Sequence, residues 1–556
     1  MVIFMTSLPK TQHAVQLVGP DELIFNDSKA VSEPGDYQML CKVEVVGLCF
    51  SDLKLLKQFS NHPRKSEVIS GIDKEILDDL PSYVPGELSA VPGHEAVVTV
   101  IKAGDKVANH KQGGRYLVQA DFRWIKTKSS NGAFGYNFEG ALQEYVLVDE
   151  RVITAPDGQS MFIEVSGDLS ASAVALVEPW ACVEDAYASS ERVTIKAGGN
   201  MLVVGDGFDS KLLNDFMVEF GKPASVTLVC DSGQLETDVV VEKISELSSL
   251  AQDSSFDDVI YFGSDAAVIE SLVQRVANHG LLNIVLCGGE IGREISMAIG
   301  RVHYGNIRIT GTVGCDPAEA MRNIPEMDEI RPGDKINVVG AGGPMGLMHV
   351  VRNVCQGIEG IVVYAGDVSD ERLKALTKIV EPLAEKSNVD YRPYNAAKAN
   401  SEEKFDYISL MAPVGQLVSQ AVKSCNANGR INIFAGIPVD VMADIDLDVY
   451  ITEKLYFFGT SGSTLEDMKL VLEKVKSKKL DTNVSVAAVA GLGAAVEGIR
   501  AVENRSIAGK IIVYPACKNL KLIKLEDLQN DFPQITEKLD SGLWTLQAEK
   551  KLLAFP

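Results

Sequence analysis

INVVGAGGPMGLMHV, residues 336–350, joins a short apolar run to a glycine cluster and then to a stretch with helical spacing. A strand, a tight turn and a helix in that order let the backbone approach a pyrophosphate, which then rests on the amides opening the helix. An acidic residue, Asp367, closes the next apolar run, 21 residues past Gly346. The spacing departs by one residue from the strict G-x-G-x-x-G form, so Gly340, Gly342, Gly343 and Gly346 share the turn.

Working outward, runs at 336–340, 361–367, 405–411, 430–436 and 455–462 alternate with helical segments, the rhythm of a parallel sheet covered on both faces. An earlier series has the same order, at 201–205, 226–231, 257–264, 281–289 and 307–314. FDDVIYF parallels FDYISLM, GLLNIVL parallels GRINIFA, and both series end on G-T-x-G, at Gly311–Gly314 and Gly459–Gly462. Gly280 and Gly429 are 149 residues apart, but Gly205 and Gly340 only 135. The chain is thus expected to hold an internal duplication whose first copy lacks a stretch between its second and fourth strands.

The first copy reads VVGDGFDSKLL (203–213). It keeps Gly205 and Gly207 but has Ser210 at the third glycine position, and it sets Asp206 and Asp209 where they would repel a pyrophosphate. It is expected to be a degenerate structural copy and a candidate oligomer interface. The second copy is the expected dinucleotide site: Asp367 suits an unphosphorylated ribose diol and favours NAD over NADP, while Arg372 weakens that preference. Met345, Thr460 and Ser461 complete the expected cofactor contacts.

Residues 1–190 read as β-rich, with short apolar runs between Gly, Pro and Asp punctuation. They contain GLCFSDLK (47–54), VPGHEAVV (91–98) and LVEPWACVEDAY (176–187). Thiolate, imidazole and carboxylate are zinc ligands, and a catalytic zinc uses three of them with one position left open. Cys49 and His94, with a carboxylate from Glu95 or Glu178, fit that formula. No cysteine lies between residues 96 and 140.

G-x-C-x-S-D, then G-H-E, then E-P, followed by the dinucleotide unit and a return segment, resembles the zinc-containing medium-chain dehydrogenase/reductase family over residues 35–515. GPMGLMH, GALQEYVLV and FFGTSGSTLEDM resemble the branch containing L-sorbose 1-phosphate reductase. The resemblance implies an α/β fold: a β-rich GroES-like catalytic domain plus two tandem Rossmann-like doubly wound parallel-sheet domains. It implies boundaries at 1–190, 191–316 and 317–475, with 476–556 returning to the catalytic domain. It also makes Cys49 and His94 zinc ligands and Ser51 the proton relay, with Asp52 orienting the ligands and Glu95 and Glu178 sharing the remaining coordination. In that family the stretch after G-H-E often carries a four-cysteine lobe for a structural zinc; residues 96–140 lack it, so the resemblance implies one zinc site. Hydride would pass between NAD(H) and a secondary alcohol: a polyol, or a sugar or polyol phosphate whose partner is a ketose. A non-catalytic NAD-sensing or scaffold protein and a zinc-free reductase are the rival readings.

The formal charge of −23 over 556 residues disfavours nucleic acid and anionic membrane as partners. No apolar run reaches the roughly 18–20 residues of a bilayer span. Nine scattered cysteines without a CxxC pair suit a reducing cytoplasm. A homo-oligomer, dimer or tetramer, is expected. The loop NHPRKSE (61–67) offers His62, Arg64 and Lys65 as a candidate phosphate clamp.

Overall fold

The computed structural model describes residues 8–188, 190–399, 402–460 and 462–555. The chain divides into two compact units, Met1–Ala181 with Ser463–Pro556, and Cys182–Gly462.

The first unit is built on an eight-stranded sheet. Its centre is the strand Gln38–Gly47, whose alternating apolar residues pair antiparallel with Glu95–Ala103 and with Tyr145–Asp149. The late strand Lys510–Tyr514 joins its other edge, with Ile512 opposite Gly47 and Val513 opposite Val46. A segment more than 400 residues downstream thereby lies beside both early motifs. The core beneath the sheet takes Val43, Val46, Val98 and Val100 from the early strands and Ile511 and Val513 from the late one. The C-terminal tail, in which the sequence shows no motif, belongs to this unit: Trp544 is fully buried and donates to the Tyr514 hydroxyl at 2.9 Å. Glu549 accepts from the Ala171 and Ser172 amides at 2.6 and 2.9 Å, covering the otherwise unpaired start of the helix Ala171–Ala175.

The second unit contains two six-stranded sheets with the same strand order. Counted within each copy the order is 3-2-1-4-5-6, and every pairing is parallel, the arrangement of a doubly wound dinucleotide fold. The first strands are Asn200–Val204 and Lys335–Val339, the last Arg308–Thr312 and Tyr456–Phe458. The third strands, Val240–Ile244 and Asp390–Asn395, are edge strands of mixed polarity, which is why hydrophobic runs did not reveal them. The copies differ at one place above all. Between its second and third strands the later copy has the helix Asp370–Ser387, capped by the Ser369 hydroxyl and closed by Asn388 in the left-handed region. The earlier copy crosses the same gap with residues 230–239 and no helix. This helix is the stretch whose absence shortens the first offset.

Candidate active site

In the first unit Cys49 precedes the helix Phe50–Gln58, and Asp52 folds back from its first turn to accept the Cys49 amide at 3.0 Å. The other Asp52 oxygen lies 3.1 Å from His94 Nδ1. One carboxylate therefore fixes two motifs 42 residues apart, and it turns the far nitrogen of the imidazole away from itself. His94 and Glu95 stand where the strand Glu95–Ala103 begins. Cys49, His94 and Glu95 each offer a ligand atom within 4.8 Å of the other two.

Glu95 is completely buried, and burying a lone carboxylate is costly. Lys510 offsets that cost by donating to Glu95 Oε1 at 2.5 Å and to the Leu48 carbonyl at 3.1 Å. Burial alone would neutralise the ammonium, but the Glu95 carboxylate and Cys49 hold its pKa above the ordinary lysine value. Sequence reading missed Lys510. Its one signal was a lysine opening the apolar strand IIVY. Glu95 Oε2 has no hydrogen-bond partner. A thiol, an imidazole held by Asp52 through its Nδ1 alone and a buried carboxylate oxygen without a partner fit a zinc ion by donor chemistry.

Glu178 sits in the first turn of the helix Val177–Ala188. Burial, followed by repulsion from Glu95, raises its pKa, while His94 and Lys510 oppose the rise. It thus lies within electrostatic reach of the cluster but outside the set of three. Ser51 is half-buried on the turn that carries Cys49 and Asp52. Tyr136, which sequence reading also missed, packs its ring 5.7 Å from that of His94.

The candidate phosphate clamp is corrected. Lys65 is fully buried and donates to the carbonyls of Val84, Gly86 and Leu88, so its ammonium holds a loop together. His62 accepts the Arg64 amide, and burial lowers its pKa to about 4, leaving it uncharged near neutrality. Arg64 is the cation of the trio near the cluster: it lies 5.6 Å over the Tyr136 ring and pairs with Asp121 at 3.3 Å.

In the second unit Gly340 adopts φ +87° and leads into the helix Pro344–Cys355. Asp367 accepts the Gly342 amide at 3.0 Å, holding the loop against the end of the second strand. Gly343 stands at the helix N-cap with no side chain on the opening amides, and Pro344 follows, where a missing N–H costs nothing. Met345 is half-buried in the first turn. A Cβ on Gly346 would sit 2.3 Å from the Gly340 carbonyl oxygen, and one on Gly342 would sit 2.6 Å from the Arg372 Cβ. Gly346→Ala is therefore expected to push loop and helix apart, costing about 1–3 kcal/mol of stability. Thermal unfolding checks this, and a titration with NAD should show weakened binding. The Thr460 hydroxyl is buried and unpartnered. Ser461 lies outside the described residues.

The first copy treats the same corner differently. Asp209 caps its helix Ser210–Phe220, accepting from the Lys211 and Leu212 amides at 2.8 and 3.1 Å. Asp206 accepts the Ser232 amide at 2.8 Å. The amides that would greet a phosphate are already held by a carboxylate of the chain itself.

Residues 35–157 match the family model of the alcohol dehydrogenase GroES-like domain. L-sorbose 1-phosphate reductase of Klebsiella pneumoniae is 25% identical over 234 residues, 40% of this chain and 56% of its own length. (R,R)-butanediol dehydrogenase of Bacillus subtilis is 29% identical over 187 residues, 32% of this chain and 45% of its own. A mannitol-1-phosphate 5-dehydrogenase of Aliivibrio fischeri is 25% identical over 249 residues, 41% of this chain and 58% of its own. The chain thus spans about half the length of the curated relatives it matches. The crystal structure of 2R,3R-butanediol dehydrogenase from Bacillus subtilis shares the fold, with a TM-score of 0.51 at 16% identity over 91% of this chain and 100% of that one. Residues 35–157 thus carry an alcohol dehydrogenase GroES-like domain, and the chain as a whole is similar in part of its sequence and in fold to alcohol and polyol dehydrogenases.

Proposed function

We propose that the chain is a zinc-dependent oxidoreductase that interconverts a secondary alcohol and its ketone by hydride exchange with NAD(H). The observation that carries this reading is the convergence of Cys49, His94 and Glu95 around an unpartnered buried carboxylate oxygen. Bound there, zinc would act as a Lewis acid toward the substrate oxygen, and NAD(H) would supply or accept the hydride.

The chain's own residues prepare both. Cys49 and His94 present thiolate and imidazole, with Glu95 or Glu178 completing the set. Asp52 fixes the orientation of His94 and of the Cys49 backbone. Lys510 pairs with the buried Glu95 carboxylate and holds it in place. The Ser51 hydroxyl, beside Cys49 in sequence, hands the substrate proton outward. Gly340, Gly342, Gly343 and Gly346 admit a pyrophosphate, and Asp367 meets the adenosine ribose. Asp52→Asn is expected to weaken zinc binding about 10- to 100-fold, as loss of a ligand-orienting partner does. Competition with a chelator of known affinity measures it.

Arg64, over the Tyr136 ring that in turn packs beside His94, favours a polyol or ketose carrying an anionic group. Two of the relatives are named for phosphorylated sugars or polyols. A soluble cytoplasmic setting accords with this substrate class. Among the described residues no helix is long and apolar enough to cross a membrane.

Metal analysis of the purified chain, followed by a screen of NAD reduction against polyols and polyol phosphates, tests the reading. One zinc per chain and turnover abolished by a chelator are expected. A chain that turns over without retaining zinc would point to the zinc-free reductase, and one that binds NAD and turns over nothing would point to the non-catalytic sensor.

A further inference from the structure

The two copies in the unit Cys182–Gly462 meet along a face with a pattern that unrelated domains do not produce. The short strands Ile295–Ala298 and Met442–Ile445, one from each copy, pair antiparallel. Ser296 faces Asp444, 148 residues on, the same separation as between Gly311 and Gly459. On either side the counterparts exchange: Ile295 pairs with Ile445, and Met297 with Ala443. The same exchange recurs elsewhere on the face. A Cβ on Gly311 would meet the Ile451 side chain at 2.7 Å, and one on Gly459 would meet the His303 Cα at 3.2 Å. His303 and Ile451 are again 148 residues apart. Residue i of one copy touches j of the other, and the counterparts of i and j touch in return. That is the signature of an isologous, two-fold interface, here drawn within one chain.

The face is apolar and continuous. A single hydrophobic core runs from Leu202, Ile295 and Ile309 of the first copy to Ile431, Ile445 and Phe457 of the second. The end strands Arg308–Thr312 and Tyr456–Phe458 lie against each other. Tyr450 donates to the Ile309 carbonyl at 2.8 Å, and the His303 ring meets the Ile433 carbonyl at 3.1 Å. An interface of this kind resembles a domain core cut in half, as in permanent dimers. The first copy has also filled its own phosphate corner with Asp209 and lacks the helix after its second strand, yet it carries the full pairing face.

We infer that the first copy is a built-in partner: it occupies, within the same chain, the face through which the nucleotide-binding copy would otherwise pair with a second copy of itself. The face is closed to another chain, so any oligomer of this protein forms through other surfaces.

Two measurements on the full chain decide it. In the first, Ser296→Cys and Asp444→Cys are combined and the protein is treated with oxidised glutathione, which accepts the two thiol electrons and leaves as two reduced glutathiones. A 296–444 disulfide within a single 60.0 kDa chain is expected on a non-reducing denaturing gel and in the peptide map. The single variants and the unsubstituted chain control for the nine native cysteines. A link joining two chains, or no link, overturns the inference. In the second, a carbodiimide couples the exposed pair Lys423 and Glu294, 2.9 Å apart across the face, in unaltered protein made by co-expressing light and isotopically heavy chains. Same-isotope peptide pairs are expected, whereas mixed pairs, or none, overturn it. A dimer formed through another face leaves both links inside the chain.

Discussion

Cys49→Ala is expected to abolish turnover while NAD binding stays close to that of the parent. The thiolate is the one sulfur donor in the cluster of Cys49, His94 and Glu95, and without it two ligands cannot hold a catalytic zinc. Lewis-acid stabilisation of a developing alkoxide is worth several kcal/mol, and about 4 kcal/mol corresponds to roughly a thousandfold in rate. The glycine loop Gly340–Gly346 and Asp367 belong to the other compact unit, so a nucleotide titration should register little change. The pairing of lost zinc and retained nucleotide distinguishes removal of a ligand from general unfolding. Cys49→Ala with turnover intact would remove the metal from the mechanism.

The largest effect on stability is expected from Lys510→Met. Lys510 and Glu95 are an ion pair with side chains 6% and 0% exposed, so the carboxylate left behind would have no water to turn to. Removing one partner of a buried pair costs about 3–5 kcal/mol, far more than the pair itself contributes. Urea unfolding of the metal-free protein reads this directly. The double variant Lys510→Met with Glu95→Gln should recover most of the loss, because the buried charge disappears with its partner. In the zinc-loaded protein the deficit should be smaller, since the metal would supply the missing positive charge. If the single and double variants unfold alike, Lys510 acts by packing alone.

How much of this was legible in the sequence follows from the range of the forces involved. Strand and helix rhythm, the glycine turn at Gly340–Gly346 and the repeat are local. Each is written in the spacing of apolar residues and in backbone conformations that tolerate few side chains. The first five-strand series and its echo could therefore be read directly. The edge strands Val240–Ile244 and Asp390–Asn395 could not, because an edge with one exposed face carries no continuous apolar run. Lys65 shows the opposite failure. Beside Arg64 it reads as a surface cation, yet three backbone carbonyls of a distant loop satisfy it in the interior.

The sequence by itself determined the side-chain types of the cluster, the glycine turn and the doubling of the parallel-sheet unit, since these depend on residue identity and near-neighbour spacing. It also showed which copy had lost a stretch, though not that the stretch was a helix. Only the tertiary structure brought Lys510 to Glu95 across 415 residues. It alone placed Glu95, with Glu178 outside, in the cluster with Cys49 and His94. It alone set Ser296 against Asp444, so that two copies of one fold face each other as partners. Such contacts are decided by which surfaces the folded sheets leave to be covered. That depends on burial summed over the whole core, and no stretch of sequence carries it alone.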